Sequence, residues 1–488
     1  MRGVVAARVR SLNNHPINAA GQFVLYWMAA SRRTRWNFAL QQAAAWTKEL
    51  AKPLLVLETL SCGRRWDSER LHRFILDGMA DNARAFRSSA ARYYPYVAWE
   101  RHRASELVAA LGQRACVVVT DDFPTHQIPE ALATTTSDLR VLAEAVDSNG
   151  LLPLRTADRI FPSAYVFRRF IQNEVRGHLG DFPKKMPLAR LTVPRLKRLP
   201  AAIGRRWPRA TERVLRGDPD ALRALPIDHS VSPAEARGGA DAAQSALRQF
   251  LRDRLPEYAE HRNEPEREVT SGLSAHLHYG HISAHQVFAE LMASESWSPD
   301  DLSPKATGSR VGWWGVDEPA EAFLDQLVTW RELGYNMCWQ STDYHQYRSL
   351  PAWARETLAE HGSDMRPYVY SLDQLERAET HDALWNAAQM QLVREGRLHN
   401  YLRMLWGKKI LEWSPTPQVA LEAMIELNNK YALDGQDPNS YSGIFWVLGR
   451  YDRPWGPERP IFGKIRYMSS ENTARKVRVT EYVRKYAP

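Results

Sequence analysis

Three short and almost continuous apolar runs mark the first third of the chain, with stretches of helical spacing between them. The runs are GQFVLYWMA, KPLLVLETL and ACVVVTDD, and RTRWNFALQQAAAWTKEL is one of the intervening stretches. Such runs are typical of strands buried on both faces, and their alternation with helices predicts a parallel α/β sheet over Met1 to about Leu154. The chain contains no GxGxxG or GxxxxGKS/T motif, so ordinary dinucleotide or P-loop binding is not indicated.

The pattern changes twice after the sheet. From about Phe182 to Gly239 the chain is rich in Pro and Arg and loses its periodicity, which is typical of a linker over the surface. Beyond Gly239 the strand-like runs give way to long amphipathic segments such as AEAFLDQLVTWRELGYNMCW and PQVALEAMIELNNKYAL. We therefore expect an α/β domain at 1–165, a linker at 166–239 and an almost entirely helical domain at 240–488.

The composition of the chain indicates the class of its partner and the cellular compartment in which it works. The 488 residues exceed a single core, and the net charge of +9 suits either a polyanionic partner or a merely solvated basic surface. Only three cysteines occur, far apart and without CxxC, which favours a reducing compartment over disulfides or structural zinc. With no signal-peptide core and no apolar run of membrane-spanning length, we expect a cytoplasmic protein, and a monomer.

Two neighbouring polar segments are open to more than one interpretation. HLHYGHISAH places His281 and His285 one helical turn apart, but no carboxylate ligand lies nearby, so we favour packing or hydrogen-bonded histidines and expect no metal site. Upstream, EVTSGLSAHL groups Thr270, Ser271 and Ser274 ahead of a helical run. These hydroxyls suit either a phosphate group or helix capping.

The segment WNAAQMQLVREGRLHNYLRMLWGKKILEW combines three tryptophans with strong cations. Trp406 and Trp413 are two helical turns apart and so share a face, and Trp385 returns to the same region from the helix before Gly396. Indoles lose and regain an electron more readily than other ordinary side chains, although the same spacing suits residues that simply fill a core.

Charged residues further along suggest two binding surfaces. Arg403 and Asp434 are an opposite-charge pair at the inner ends of adjacent helices, suited to clamp a planar redox-active ring or to be solvated at the surface. YDRPWGPERPIFGKIRYMSSENTARKVRV interleaves cations with Trp455, Phe462 and Tyr467, which favours phosphate contact combined with base stacking or wedge insertion.

These motifs resemble those of a known family. WNAAQMQLVREGRLHNYLRMLWGKKILEW, LNNKYALDGQDPNSYSGIFW and ERPIFGKIRYM are closely similar to the class II DNA photolyases of the photolyase and cryptochrome superfamily. The similarity is continuous from about Asp241 to Val479 and weaker in the N-terminal part, where VLYWMAASRRTRWNFAL resembles the family's first strand and helix.

The resemblance implies a Rossmann-like α/β antenna domain followed by an all-α FAD-binding domain. It also implies light-driven repair of cyclobutane pyrimidine dimers in double-stranded DNA, with reduced FAD as the electron donor. A second, antenna chromophore of the 8-hydroxy-deazaflavin type is a weaker expectation. The alternative within the superfamily is a cryptochrome-type photoreceptor without efficient repair, and a third reading is a light-independent nucleic-acid binder.

Residue roles follow from the resemblance alone. It implies electron transfer to the flavin along Trp406, Trp385 and then Trp413 at the surface, and it places Asn428 near the flavin N5. Nearby cations, Lys408 and Lys409 included, are expected to face flavin or phosphate. The implied flavin-binding residues are Tyr258, Thr270, Ser271, Leu273, Ser274, Arg331, Arg403, Asp434 and Gln436.

The resemblance also implies a lesion site, with one departure in it. Trp330 and Trp446 would cradle the flipped dimer above Met404, while Arg459, Lys464 and Arg466 contact the DNA strand. The family usually has a glutamate, thought to bond the dimer, where this chain has Gln326. The glutamine amide still donates a hydrogen bond but supplies no proton, and the adjacent Asp325 is expected to point about 100° away around the helix.

Overall fold

The computed structural model describes residues 4–98, 103–125 and 127–488. The predicted first domain therefore includes residues 1–3, 99–102 and 126, which lie outside the described part. The chain forms two compact units. The first comprises Met1–Ala157, Glu174–Arg248 and Gly272–Ser296, and the second comprises Asp158–Asn173, Gln249–Ser271 and Trp297–Pro488.

A six-stranded sheet organises the first unit. Its strands are β1 (Val9–Ser11), β2 (Phe23–Met28), β3 (Leu54–Ser61), β4 (Arg92–Ala98), β5 (Ala115–Asp122) and β6 (Ala143–Asp147). They are ordered β1-β6-β5-β2-β3-β4, and every pair is parallel except β1 with β6. The predicted α/β class is confirmed, and the three apolar runs form β2, β3 and β5.

Helices cover the sheet and form most of the second unit. Those before residue 240 are α1 (Phe38–Leu50), α2 (Glu69–Arg87), α3 (Ala104–Gly112), α4 (Gln127–Thr136), α5 (Ala164–Glu174), α6 (Ala201–Arg206), α7 (Glu212–Leu215) and α8 (Pro219–Arg223). Those after it are α9 (Ala240–Gln249), α10 (Leu255–His261), α11 (Ser274–His278), α12 (Ala284–Ser294), α13 (Glu318–Leu324), α14 (Arg331–Gln340), α15 (Ala352–Glu360), α16 (Leu372–Glu376), α17 (Ala383–Glu395), α18 (Asn400–Trp413), α19 (Pro417–Tyr431), α20 (Pro438–Val447), α21 (Ser470–Lys476) and α22 (Thr480–Lys485).

The predicted linker, residues 166–239, carries more structure than its composition indicates. It contains the short helices α6 to α8, and from Glu174 onward it belongs to the first unit. Ile203 and Trp207 pack into the sheet core, while Leu215 and Leu222 join a cluster beside α2. Single apolar residues among Arg and Pro therefore attach this segment to the fold, because each one removes apolar surface from water.

The second unit packs its helices around α18, which contacts α17, α19 and α20. Gly396, in the left-handed conformation at φ 68°, ends α17 and lets the chain turn back into α18. Two segments, Phe250–Arg254 and Asp325–Trp330, are π-helical. The second contains Gln326 and Trp330, so the expected 100° step of an α-helix does not apply there, and π-helical segments are frequent at functional sites.

Within the described residues, no helix is both long enough and apolar enough to cross a membrane.

Buried histidines in the first unit give a testable pH dependence. Burial lowers the pKa of His276 from 6.5 to about 4 and lowers the pKa of His281 well below 6.5. His281 Nδ1 also accepts a hydrogen bond from the Gly239 N–H at 2.9 Å, which requires an unprotonated nitrogen. The unfolded chain therefore binds more protons than the folded one, and the free energy of unfolding falls as the pH drops from about 6.5 to about 4.

We expect His276 alone to contribute about 3 kcal/mol to this loss. The measurement is urea unfolding at several pH values for the wild type, His276→Gln and the control His15→Gln, whose histidine is only half-buried. The His276 variant should show a shallower decline of stability in acid, and an unchanged slope would contradict the assignment.

Candidate functional site

A half-buried polar cluster lies in the second unit where α18, α19 and the segment leading into α20 meet. Arg403 on α18 donates from Nη1 to Asn428 Oδ1 at 3.2 Å and from Nη2 to Asp434 Oδ1 at 3.4 Å. The side chains of Arg403 and Asp434 are 13% and 19% exposed. The predicted opposite-charge pair is therefore present, and its side chains stay partly exposed while most of α18 is buried.

Asn428 is fixed by two neighbouring polar residues, Asn429 and Ser440, that are not among the predicted site residues. Its Nδ2 donates to Asn429 Oδ1 at 3.1 Å and to Ser440 Oγ at 2.8 Å. Gln436 joins the same network, since its backbone N–H donates to Asn429 Oδ1 at 3.0 Å. The adjacent asparagines in LNNKY and the serine in DPNSY are the only sequence signals for this support. The Oδ1 of Asn428 keeps a lone pair available for an N–H donor.

Arg331 belongs to a neighbouring chain of hydrogen bonds. Its Nη2 donates to Tyr335 Oη at 2.8 Å, and Tyr335 Oη donates to Asp437 Oδ2 at 3.3 Å. Its guanidinium also lies over the Tyr335 ring, 4.2 Å from the centroid. Burial raises the pKa of Tyr335 well above 10, which keeps the phenol protonated as the bridging donor. These hydrogen bonds fix the start of α20 beside Gln436.

The predicted phosphate motif is divided by the unit boundary. Thr270 and Ser271 belong to the second unit and Leu273 and Ser274 to the first. Helix α11 begins at Ser274, and its N-cap, Leu273, makes no side-chain capping bond. The N-cap residue itself therefore supplies no side-chain cap, and the phosphate and capping interpretations of the three hydroxyls both stay predictions.

Tyr258 on α10 is buried in the second unit. Its ring meets those of Phe250 and Phe323 edge-on at 5.6 Å, and burial raises its pKa.

The three tryptophans lie together. Trp385 Nε1 donates to the backbone oxygen of Trp406 at 3.0 Å, and the Trp385 and Trp413 rings are 5.4 Å apart between centroids. Trp406 Nε1 donates to Gln389 Oε1 at 2.9 Å. The predicted proximity is confirmed, but the predicted surface position of Trp413 is wrong. Trp413 is only 2% exposed because other aromatic rings cover it.

The expectation that Lys408 and Lys409 face flavin or phosphate is also wrong. Lys408 is 1% exposed and donates to the Val447 carbonyl at 2.5 Å, and burial lowers its pKa to about 7. Lys409 pairs with Glu412 at 2.9 Å. Both lysines lie on the buried side of α18, where groups of the protein satisfy them.

The proposed lesion residues are half-exposed side chains on packed elements. Trp330 ends the π-helical segment that leads into α14, Trp446 lies on α20, and these two α-helices pack together. Met404 faces α20, because a Cβ added at Gly443 would lie 3.9 Å from its Cε. Gln326 is half-buried, whereas Asp325 is buried and pairs with Arg168 at 2.8 Å.

Cations and aromatic rings alternate along the loop after α20. The Arg466 guanidinium lies 5.7 Å from the Trp446 ring and 5.1 Å from the Trp455 ring, and Arg459 lies 4.7 Å from the Tyr467 ring. Lys464 pairs with Glu458 at 3.2 Å, with both side chains nearly half exposed. The stacking fixes the cations while they stay accessible, which suits contact with nucleic-acid phosphates.

Comparison with known proteins gives strong similarity along the whole chain. The deoxyribodipyrimidine photo-lyase of Methanothermobacter thermautotrophicus is 34% identical over 483 residues, covering 98% of this chain and 97% of that protein. No protein-family model matches.

Two solved structures share the fold. The class III photolyase of Agrobacterium tumefaciens superposes with a TM-score of 0.67 at 16% identity, covering 98% of this chain and 87% of that one. An archaeal photolyase from Sulfolobus tokodaii, solved with two FAD molecules, gives 0.66 at 11% identity, covering 95% and 90%.

Proposed function

Since the chain belongs to the deoxyribodipyrimidine photo-lyase family within the photolyase and cryptochrome superfamily, we propose that it repairs cyclobutane pyrimidine dimers in DNA by light-driven electron transfer from FAD. The observation that carries the proposal is the hydrogen-bonded cluster of Arg403, Asp434 and Asn428, built on the same helix α18 as Trp406 and Trp413 of the packed tryptophan group. The class II assignment, the antenna chromophore and the cytoplasmic location stay predictions.

The donor set of the cluster fits a flavin ring. A guanidinium, a carboxylate and an amide oxygen present donors and acceptors on one side of a planar ligand, and their partial burial strengthens each hydrogen bond. Both amide hydrogens of Asn428 are used within the protein, so its free lone pair favours a ligand N–H, as in a reduced flavin. FAD, when bound and reduced, supplies on illumination the electron that opens the cyclobutane ring and receives it back.

The surrounding residues orient the lesion and keep water from it. We assign Trp330 and Trp446 to the two faces of a flipped dimer and Met404 to the position beneath it, since large apolar side chains bind unstacked bases well. Gln326 would donate its amide hydrogen to a pyrimidine carbonyl. Arg459, Lys464 and Arg466 would hold the flanking phosphates of the double-stranded partner.

DNA binding and the absorbance of bound flavin test the proposal before any repair is measured. Protein purified in the dark should carry FAD and bind a duplex with one dimer more tightly than the undamaged duplex. A colourless protein that binds both duplexes equally would favour the light-independent binder. A yellow protein whose flavin is photoreduced without dimer loss would favour the cryptochrome alternative.

Gln326→Glu tests the departure at the lesion site. We expect repair to hold or rise, because a protonated glutamate both donates a hydrogen bond and supplies a proton. The measurement is the yield of repaired dimer per light dose, with the exposed Gln249→Glu as the matched control. A large fall confined to Gln326→Glu would show that this position does not face the dimer.

Arg466→Gln tests the DNA contact. The slope of log K against log salt should become shallower by about 1, because one phosphate contact is lost. The affinity should weaken similarly for damaged and undamaged duplexes. Arg484→Gln, at an exposed pair with Glu481 on α22, is the control and should leave the slope unchanged. An unchanged slope in Arg466→Gln would remove this residue from the interface.

A further inference from the structure

Aromatic side chains continue outward from Trp413 toward solvent. The Tyr370 ring lies 5.4 Å from the Trp413 ring and the His381 ring lies 5.3 Å from it, both edge-on. Tyr368 stacks on His381 with centroids 3.8 Å apart and is itself 49% exposed. These three residues, Tyr368, Tyr370 and His381, form what we call the outer aromatic group. It covers the tryptophan that the family resemblance had placed at the surface.

Tyr370 and His381 are joined by a hydrogen bond between the phenol and the imidazole. The Tyr370 hydroxyl lies 2.7 Å from His381 Nδ1, and the backbone N–H of His381 donates to the same hydroxyl oxygen at 3.0 Å. The oxygen accepts one bond from the backbone, and with His381 in its Nε2–H tautomer the hydroxyl donates its own proton to Nδ1. A neutral imidazole is the base best suited to take that proton near neutral pH.

Both residues are held just outside helix N-termini. Tyr370 precedes Ser371, which caps α16 in a capping box with Gln374. His381 precedes Asp382, whose side chain caps α17 by accepting from the Trp385 N–H. The Tyr370 N–H also donates to the Trp413 carbonyl at 3.3 Å. The rings thus keep a fixed geometry relative to the tryptophans.

The Lys409 side chain near Trp413 favours transfer of the positive charge of an oxidised Trp413 to the outer aromatic group. The Lys409 ammonium lies 5.5 Å from the Trp413 ring centroid, and its partner Glu412 is 2.9 Å from that ammonium. A positive charge on the indole is repelled by this ammonium, although Glu412 and Asp382, 3.9 Å from the ammonium, offset part of this. A tyrosine that releases a proton as it gives up its electron holds no net positive charge.

We propose that Tyr370 is a redox residue that re-reduces Trp413, with His381 as the acceptor of its phenolic proton. The step rests on the proposed function, which draws an electron inward from Trp413. One electron passes from Tyr370 to the oxidised indole, the Oη–H bond breaks, and the proton forms an N–H bond at His381 Nδ1. The products are neutral Trp413, a neutral tyrosyl radical and an imidazolium.

The cycle closes with a small thiol from solvent as reductant, which reaches the partly exposed Tyr370 directly. The thiol gives one hydrogen atom to the tyrosyl oxygen and becomes a thiyl radical, while the imidazolium returns its proton to water. The net change is one electron from the thiol to Trp413 and one proton to solvent.

The test is electron paramagnetic resonance of holoenzyme frozen under illumination, with ring-deuterated tyrosine or tryptophan. Wild type should give a tyrosyl signal that narrows with deuterated tyrosine. Tyr370→Phe should lose it and show a tryptophanyl signal, whereas Tyr368→Phe and the control Tyr482→Phe should keep it. His381→Phe, which retains a ring without a base, should also lose the tyrosyl signal.

Two outcomes separate failure of this step from failure of the proposed function. A tryptophanyl signal in wild type, unchanged in Tyr370→Phe, would overturn the role of Tyr370 alone. Protein without flavin would overturn both.

A second measurement is nitrogen NMR in the dark. It should show His381 Nδ1 as a hydrogen-bond acceptor whose resonance shifts in Tyr370→Phe. An Nδ1 that carries its own proton would also overturn the proposal.

Discussion

Replacing Trp406 by phenylalanine should abolish photoreduction of the bound flavin and leave repair intact once the flavin is reduced chemically. Trp406 is buried on α18, and Trp385 Nε1 bonds to its backbone oxygen, so it lies next in line with Trp385 and Trp413. A phenyl ring is far harder to oxidise than an indole, so the variant keeps the packing and removes the electron relay. The measurement is flavin absorbance during illumination with a thiol.

Trp313→Phe is the matched control for that experiment. Trp313 is also buried in the second unit, 3% exposed, and packs edge-on against Trp314. The flavin bound by Trp313→Phe should be photoreduced as in the wild type. Normal photoreduction in Trp406→Phe would contradict the proposed route, whereas loss of repair by the chemically reduced variant would show that Trp406 supports the lesion site instead.

Replacing Arg403 by leucine should strip the protein of its flavin. The change removes the guanidinium that would donate to the flavin, and a hydrogen bond to a charged group contributes about 1.5–3 kcal/mol. An affinity loss of about 10-fold or more follows from the lower figure. The measurement is titration of the apoprotein with FAD, together with the flavin content after gel filtration.

Arg397→Leu provides the comparison, because Arg397 pairs with Glu268 where both side chains are about half exposed. An exposed pair contributes little, so this variant should keep its flavin. Full flavin content in Arg403→Leu would place the isoalloxazine elsewhere.

The sheet was predictable where its strands are buried on both faces. β2, β3 and β5 are nearly continuous apolar runs in the middle of the sheet, whereas β1 and β6 are short and carry charged residues. β4 contains Pro95, a residue that discourages a strand assignment, but β4 is at the edge of the sheet, where a missing N–H is tolerated.

Helix content was also predictable, but the irregularities were not. Gly396 ends α17 as its left-handed conformation requires, and the sequence shows that break directly. The π-helical turn at Asp325–Trp330 leaves no mark in the apolar spacing, because one extra residue per turn shifts the pattern only locally. The orientation of Gln326 therefore depends on a local irregularity that the sequence pattern does not show.

The charged pair of the candidate site could be predicted from the sequence, but the residues that hold the site residues in place could not. Arg403 and Asp434 stand out as strong charges within apolar helices, and the structure pairs them. Ser440 and Asn429 act through hydrogen bonds of ordinary side chains, and Tyr370 and His381 cover Trp413 from separate segments. Contacts of this kind depend on the tertiary structure, so no regular spacing in the sequence predicts them.

Recovery of thymine absorbance tests the central claim most directly. Chemically reduced protein is mixed with an oligonucleotide that carries thymine dimers, and absorbance is followed in light and in the dark. We predict that absorbance rises only in light and continues for many dimers per protein molecule. A flavin-loaded, reduced protein that binds the oligonucleotide and restores no thymine under illumination would contradict the proposed function.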